Sequence, residues 1–100
     1  MIKHIVVWRL KEHAHGNTKM QNAEIMKNLL EALPTKVPGI LKLEVGIDFS
    51  KTDSSGDIAL VTEFASKKDL DNYQIHPEHR AIMPFVAEAK SERFVIDYEI

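Results

Sequence analysis

Apolar and polar positions along the chain change period several times, and each change marks an element. From Ile2 to Leu10 the period is two, with Ile2, His4, Val6, Trp8 and Leu10 on one side and Lys3, Ile5, Val7 and Arg9 on the other. This pattern predicts a strand that is apolar on both faces. His13 to Asn17, around Gly16, reads as a loop. Thr18 and Gln21 form a capping box, after which Met20, Ala23, Met26, Leu29, Leu30 and Leu33 recur at helical spacing. Pro34 and Pro38-Gly39 end that helix, because the residue before a proline avoids the α region.

Alternation returns at Leu41, Leu43, Val45, Ile47 and Phe49, set against Lys42, Glu44, Gly46 and Asp48. Lys51 to Asp57 is rich in Ser, Asp and Gly and predicts a turn. A third strand follows, with Ile58, Leu60, Thr62 and Phe64 on one face and Ala59, Val61 and Glu63 on the other. Ser66 and Asp69 open a second helix, which should break at His76-Pro77. Pro77 suits the first position of a further helix, and Pro84 is expected to kink or restart it before it ends near Lys90. The last strand, Phe94 to Ile100, sets Phe94, Ile96, Tyr98 and Ile100 opposite Val95, Asp97 and Glu99.

The order β-α-β-β-α-β is the split βαβ arrangement of an α+β, ferredoxin-like protomer, with both helices on one face of a four-stranded antiparallel sheet. The more apolar face (Ile2, Val6, Trp8, Leu41, Leu43, Leu60, Phe64, Phe94, Ile96) is expected under the helices. On the other face, Ile5, Val7, Ala59 and Val61 occupy the central strands. Lys3, Arg9, Lys42, Glu44, Glu63, Asp97 and Glu99 should surround them, with Val95 the one apolar exception. An apolar centre with a charged rim is the composition of an interface, so a homodimer through Ile5, Val7, Ala59 and Val61 is expected.

One hundred residues match one domain, so residues 1–100 are expected to form a single unit. Thirteen basic against fifteen acidic side chains leave a charge of −2, which removes the broad positive field of a nucleic-acid binder. No apolar run reaches a membrane span, and Ile5 to Trp8 is too closely flanked by charge for a signal peptide. Cysteine is absent, so disulfides, thiolate metal sites and a cysteine nucleophile are excluded. A cytoplasmic protein is expected.

Candidate chemistry rests on histidine and tyrosine. His13 and His15 lie in the polar loop and are expected to be solvated. His4 falls on the helix-facing side of the first strand, where a lone histidine is most often a hydrogen-bonded core residue. The segment Tyr73-Gln74-Ile75-His76-Pro77-Glu78-His79 gathers a phenol, two imidazoles and a carboxylate around a helix break. His76 is expected to cap the helix that starts at Pro77. Tyr73 and His79 can both face His4, either as packing residues or as general acid–base groups. A zinc site on His4, His76 and His79 is the competing idea, but the break sets the two helical rings apart and no metal is expected.

The starting run Ile2-Lys3-His4-Ile5-Val6, the Tyr73 to His79 segment and the ending Phe94-Val95-Ile96-Asp97-Tyr98 together resemble the stress-responsive α/β-barrel (Dabb) family. The resemblance covers essentially the whole chain. It implies a ferredoxin-like protomer whose sheets pack face to face in a homodimer, forming an α/β barrel. It also implies a pocket that needs no cofactor and takes an unidentified small molecule, since one family member is a plant polyketide cyclase. By that resemblance Tyr73 and His79 act in catalysis and His4 lines the same pocket. A further pocket histidine of the cyclase is Asp57 here, so the polyketide substrate does not carry over. Some members hold a divalent cation on backbone carbonyls, here near Leu30, Leu33 and Lys36. Two functions remain open: a lyase or cyclase on a small carbonyl compound, or a non-catalytic stress-response or ligand-binding protein. A cofactor-free monooxygenase is a third, with no distinctive residue to support it.

Overall fold

A computed structural model describes residues 1–100. The main sheet contains β1 (Ile2–Leu10), β4 (Lys42–Ile47), β5 (Ile58–Phe64) and β6 (Lys90–Glu99) in the order β4-β5-β1-β6, every pair antiparallel. Helices α1 (Lys19–Glu31), α2 (Lys67–Ile75) and α3 (Pro77–Ala89) provide the second layer. This is the ferredoxin-like topology, with β1 and β5 central.

The capping box of α1 forms as its sequence requires. Gln21 N–H donates to the Thr18 hydroxyl at 3.3 Å, and Thr18 N–H donates to Gln21 Oε1 at 2.9 Å. Ser66 likewise caps α2 by accepting from Asp69 N–H at 3.2 Å. Ile2, Val6, Trp8 and Leu10 of β1 and Ile58, Leu60 and Phe64 of β5 are buried against Met26, Leu30, Leu70, Ile82 and Val86 of the helices. At ~1.5–3 kcal/mol for each large apolar side chain removed from water, this layer dominates the stability of the fold.

Several expectations need correction. The segment from His13 to Asn17 is not a loop but a hairpin, β2 (His13–Ala14) paired with β3 (Asn17–Thr18). Its turn residues His15 and Gly16 have φ of 55° and 73°, the left-handed pair that a two-residue hairpin demands. His15 is not free in solvent: its ring stacks on Phe85 at 4.2 Å, and Nε2–H donates to the Phe85 carbonyl at 3.0 Å. Helix α1 stops at Glu31, and Leu33–Thr35 forms a separate 3-10 turn. Leu41 and Phe49 fall outside β4, and both are exposed. Pro84 does not restart α3, which runs unbroken to Ala89.

The largest correction concerns β6. Its register pairs Ile5 with Ile96, Val7 with Phe94 and His4 with Asp97, and directly opposed residues share a face. Phe94, Ile96 and Tyr98 therefore lie on the open face, not under the helices, and Val95, Asp97 and Glu99 lie on the helix side. The apolar row follows the unpartnered face because β6 is an edge strand outside the main cover of the helices, exposed along nearly its whole length.

Candidate active site

His4 sits in the inward row of β1 between Ile2 and Val6 and is 2% exposed. A buried imidazole needs a partner, and the strand register brings one from the far end of the chain: His4 Nδ1 meets Asp97 Oδ1. An ionised carboxylate can only accept, so Nδ1 carries the proton of this pair.

Tyr73 lies with Leu70 on the buried side of α2. Its ring packs on Phe64 at 5.2 Å, edge-on to His4 at 6.2 Å and edge-on to His79 at 4.5 Å. On an unbroken helix, positions six apart point about 120° away from each other. The break prevents that. His76 is extended at φ −62° and ψ 137°, Pro77 starts α3, and His79 swings back onto Tyr73. His76 Nδ1 accepts from Glu78 N–H at 3.1 Å, so that ring serves as the helix cap.

Two polar atoms at the centre, Tyr73 Oη and His79 Nδ1, are buried with no hydrogen-bond partner. Such groups cost about 1–3 kcal/mol each when left unpaired, which marks the spot as unfinished. Burial pushes the Tyr73 hydroxyl up to about 12, against the opposing pull of the Arg93 guanidinium. Burial also pushes His79 below the ordinary histidine value of 6.5; the Gln74 carbonyl opposes this, and the charges of His4 and Arg93 add to it. At neutral pH the site therefore holds a neutral imidazole beside a protonated phenol.

The His79 shift has a consequence for stability. With its folded pKa below that of the unfolded chain, the unfolded state binds more protons at mildly acidic pH. The contribution is fully present above about 6.5 and is lost as pH falls through the folded value. Thermal unfolding between pH 7.5 and 5 should show a smaller acid-induced fall in Tm for His79→Gln than for the parent. Equal falls would contradict a depressed His79.

The remaining expectations fall elsewhere. Asp57 lies away from the three rings, accepting from Leu10 N–H at 2.7 Å with Lys19 Nζ at 3.4 Å. It borders a polar cleft of about 740 Å³ where β1 ends and α1 begins. The Leu33 carbonyl accepts from both Lys36 and Val37 N–H at 2.9 Å, which leaves it poorly suited to hold a cation. No group of three or more His, Asp or Glu side chains is gathered as metal ligands. Alternation alone puts Asp97 on the wrong face and gives Arg93 no role; only the β1–β6 register brings them to the helix side.

Comparison with known proteins settles the family. The profile of the stress responsive A/B barrel domain, Dabb, matches residues 2–100. The chain belongs to the Dabb family. A dimeric ferredoxin-like protein of unknown function from Bacteroides fragilis is 36% identical, with a TM-score of 0.88 over 99% of this chain and 95% of that one. A Dabb protein from Mesorhizobium loti is 24% identical, with a TM-score of 0.73 over 99% and 95% of the two chains. The hydroxynitrile lyase of Passiflora edulis shares the fold at 18% identity, with a TM-score of 0.83 over 99% and 92%. No curated protein matches significantly. None of the three helices is long and apolar enough to cross a membrane.

Proposed function

We propose that this Dabb protein is a cytoplasmic homodimer that acts without a cofactor on a small carbonyl compound, as a lyase or cyclase. The observation that supports it most is the buried Tyr73 phenol edge-on to two imidazoles, with Tyr73 Oη and His79 Nδ1 both unpartnered. A neutral His79 removes a proton from the carbon next to a carbonyl, and the Tyr73 hydroxyl hydrogen-bonds the oxygen that gains charge. The enolate adds to a second carbonyl, and the imidazolium returns its proton to the new alkoxide. Protons balance and nothing is oxidised or reduced, so the step needs no cofactor. His4, held by Asp97, positions the ligand from the sheet side.

The homodimer forms through the open face, where Ile5, Val7, Ala59 and Val61 are joined by Phe94, Ile96 and Tyr98. The Bacteroides fragilis relative is described as dimeric, which supports this assembly.

The second reading, a non-catalytic ligand-binding or stress protein, is favoured by the complete burial of Tyr73. The test is turnover of a panel of aldehydes, ketones and cyanohydrins in the presence of a chelator. Activity should survive the chelator, and Tyr73→Phe should lower it about a hundredfold, the usual effect of losing one oxyanion donor. Binding of carbonyl compounds with no turnover, equal in Tyr73→Phe, would establish the second reading.

A further inference from the structure

The helix-side residues of β6 are Arg93, Val95 and Asp97, opposite Trp8, Val6 and His4 of β1. Because the helices leave β6 largely open, all three are exposed, on the strand that flanks His4 and on the His4 side of the sheet. Asp97 is engaged with His4. Glu92, the neighbour of Arg93, turns to the other face and pairs with Arg9 at 3.7 Å. Arg93 makes no ion pair, although six others form elsewhere on the molecule.

Two unpartnered donors share its side of the sheet. Trp8 Nε1, Tyr73 Oη and His79 Nδ1 are the buried side-chain polar atoms without a partner, and all three belong to the helix side of the sheet. An indole N–H can only donate, and a phenol protonated at neutral pH donates readily. Trp8 stands directly across from Arg93, about 13 Å along the strand from His4, a span an arginine side chain and a small ligand can cover together. A cation without an ion pair and two unmet donors, with Asp97 already engaged by His4, call for an anionic oxygen from outside the chain.

We propose that Arg93 anchors a carboxylate on the ligand, so that the site takes a small keto acid in preference to a neutral carbonyl compound. This rests on the acid–base reading of the His4/Tyr73/His79 site and adds the chemical class of its ligand. The planar guanidinium binds the carboxylate in a two-point fork at the rim and turns the ketone inward towards Tyr73. The charge of Arg93 also reaches both rings, since it pulls on Tyr73 and His79 alike. Arg93 is a positioning residue: it holds the ligand while the inner groups meet the reacting carbonyl.

The probes are benzoylacetate, an aromatic keto acid, and its uncharged ethyl ester. Their binding is followed by the histidine ring signals in NMR titrations of the full chain at pH 7.5. The parent should bind the acid tighter than the ester, with the His4 and His79 signals moving for both. Arg93→Gln should weaken the acid by about tenfold to a hundredfold, leave the ester unchanged, and raise the midpoint of the His79 titration. Arg93→Lys should recover part of the loss, because it restores the charge without the fork. Equal affinity for acid and ester, or a preference that survives in Arg93→Gln, overturns the anchor while leaving the inner site in place. Failure of either probe to move the His4 and His79 signals overturns the acid–base site and the anchor with it.

Discussion

Val61→Lys is expected to convert the protein from a dimer to a monomer or an aggregate in sedimentation experiments. The open face of the sheet can be read as rows across the strands. Lys42, Glu63, Lys3 and Tyr98 form one row, Glu44, Val61, Ile5 and Ile96 the next, and Gly46, Ala59, Val7 and Phe94 the third. Beyond them stand Arg9 and Glu92, again charged. Two apolar rows between charged ones make a patch that water solvates poorly, worth roughly 25 cal/mol per Å² once covered. Phe94 and Ile96 are 60% and 58% exposed in the single protomer, so much of that area is still available for burial. A lysine at Val61 places an unpaired charge at the centre of the patch, a penalty of several kcal/mol against an interface of modest size. Ile96→Glu should act in the same way, since Ile96 lies two strands from Val61 in the same row. A parent that sediments as a monomer, or a Val61→Lys protein that stays dimeric, would remove the interface.

Ile96 joins this patch through strand register, which alternation alone does not fix. The faces of β1 and β5 were legible, because two-residue alternation with a continuous inward row leaves one sensible orientation. The break between α2 and α3 was legible too, since His76-Pro77 fixes the backbone chemically. Strand β6 carries an equally clear alternation, yet alternation separates two faces without saying which one meets the core. The rule that apolar faces go inward sends the apolar row of β6 to the helices. That rule fails for an edge strand whose apolar row continues a patch on the open face. The same inversion hid Asp97, which sits 93 residues from His4 in the chain and becomes its partner only through strand register. The stacking of His15 on Phe85 was hidden for a similar reason, since no local pattern links a hairpin tip to a distant helix turn.

His79→Ala should lower carbonyl turnover by about a hundredfold to ten-thousandfold, the range for removing a general base, while Tm changes little. The expectation follows from what His79 lacks. Its Nδ1 has no hydrogen-bond partner, so truncation loses mainly the edge contact with Tyr73 at 4.5 Å and the interaction of the ring with the Gln74 carbonyl. Relieving an unsatisfied buried polar atom offsets part of that loss. His4 makes the contrasting case. Its ring is buried and engaged with Asp97, so His4→Ala leaves the carboxylate without its partner and should reduce stability as well as activity. Comparing the two variants separates a catalytic imidazole from a structural one, because kcat and Tm should fall together in His4→Ala and come apart in His79→Ala. The pH profile adds a second criterion. Burial holds His79 below its ordinary value, so the acid limb of turnover should lie below 6.5 and disappear with the ring. If His79→Ala unfolds at a much lower temperature yet keeps full turnover per folded molecule, His79 is a packing residue and the base must be sought at His4.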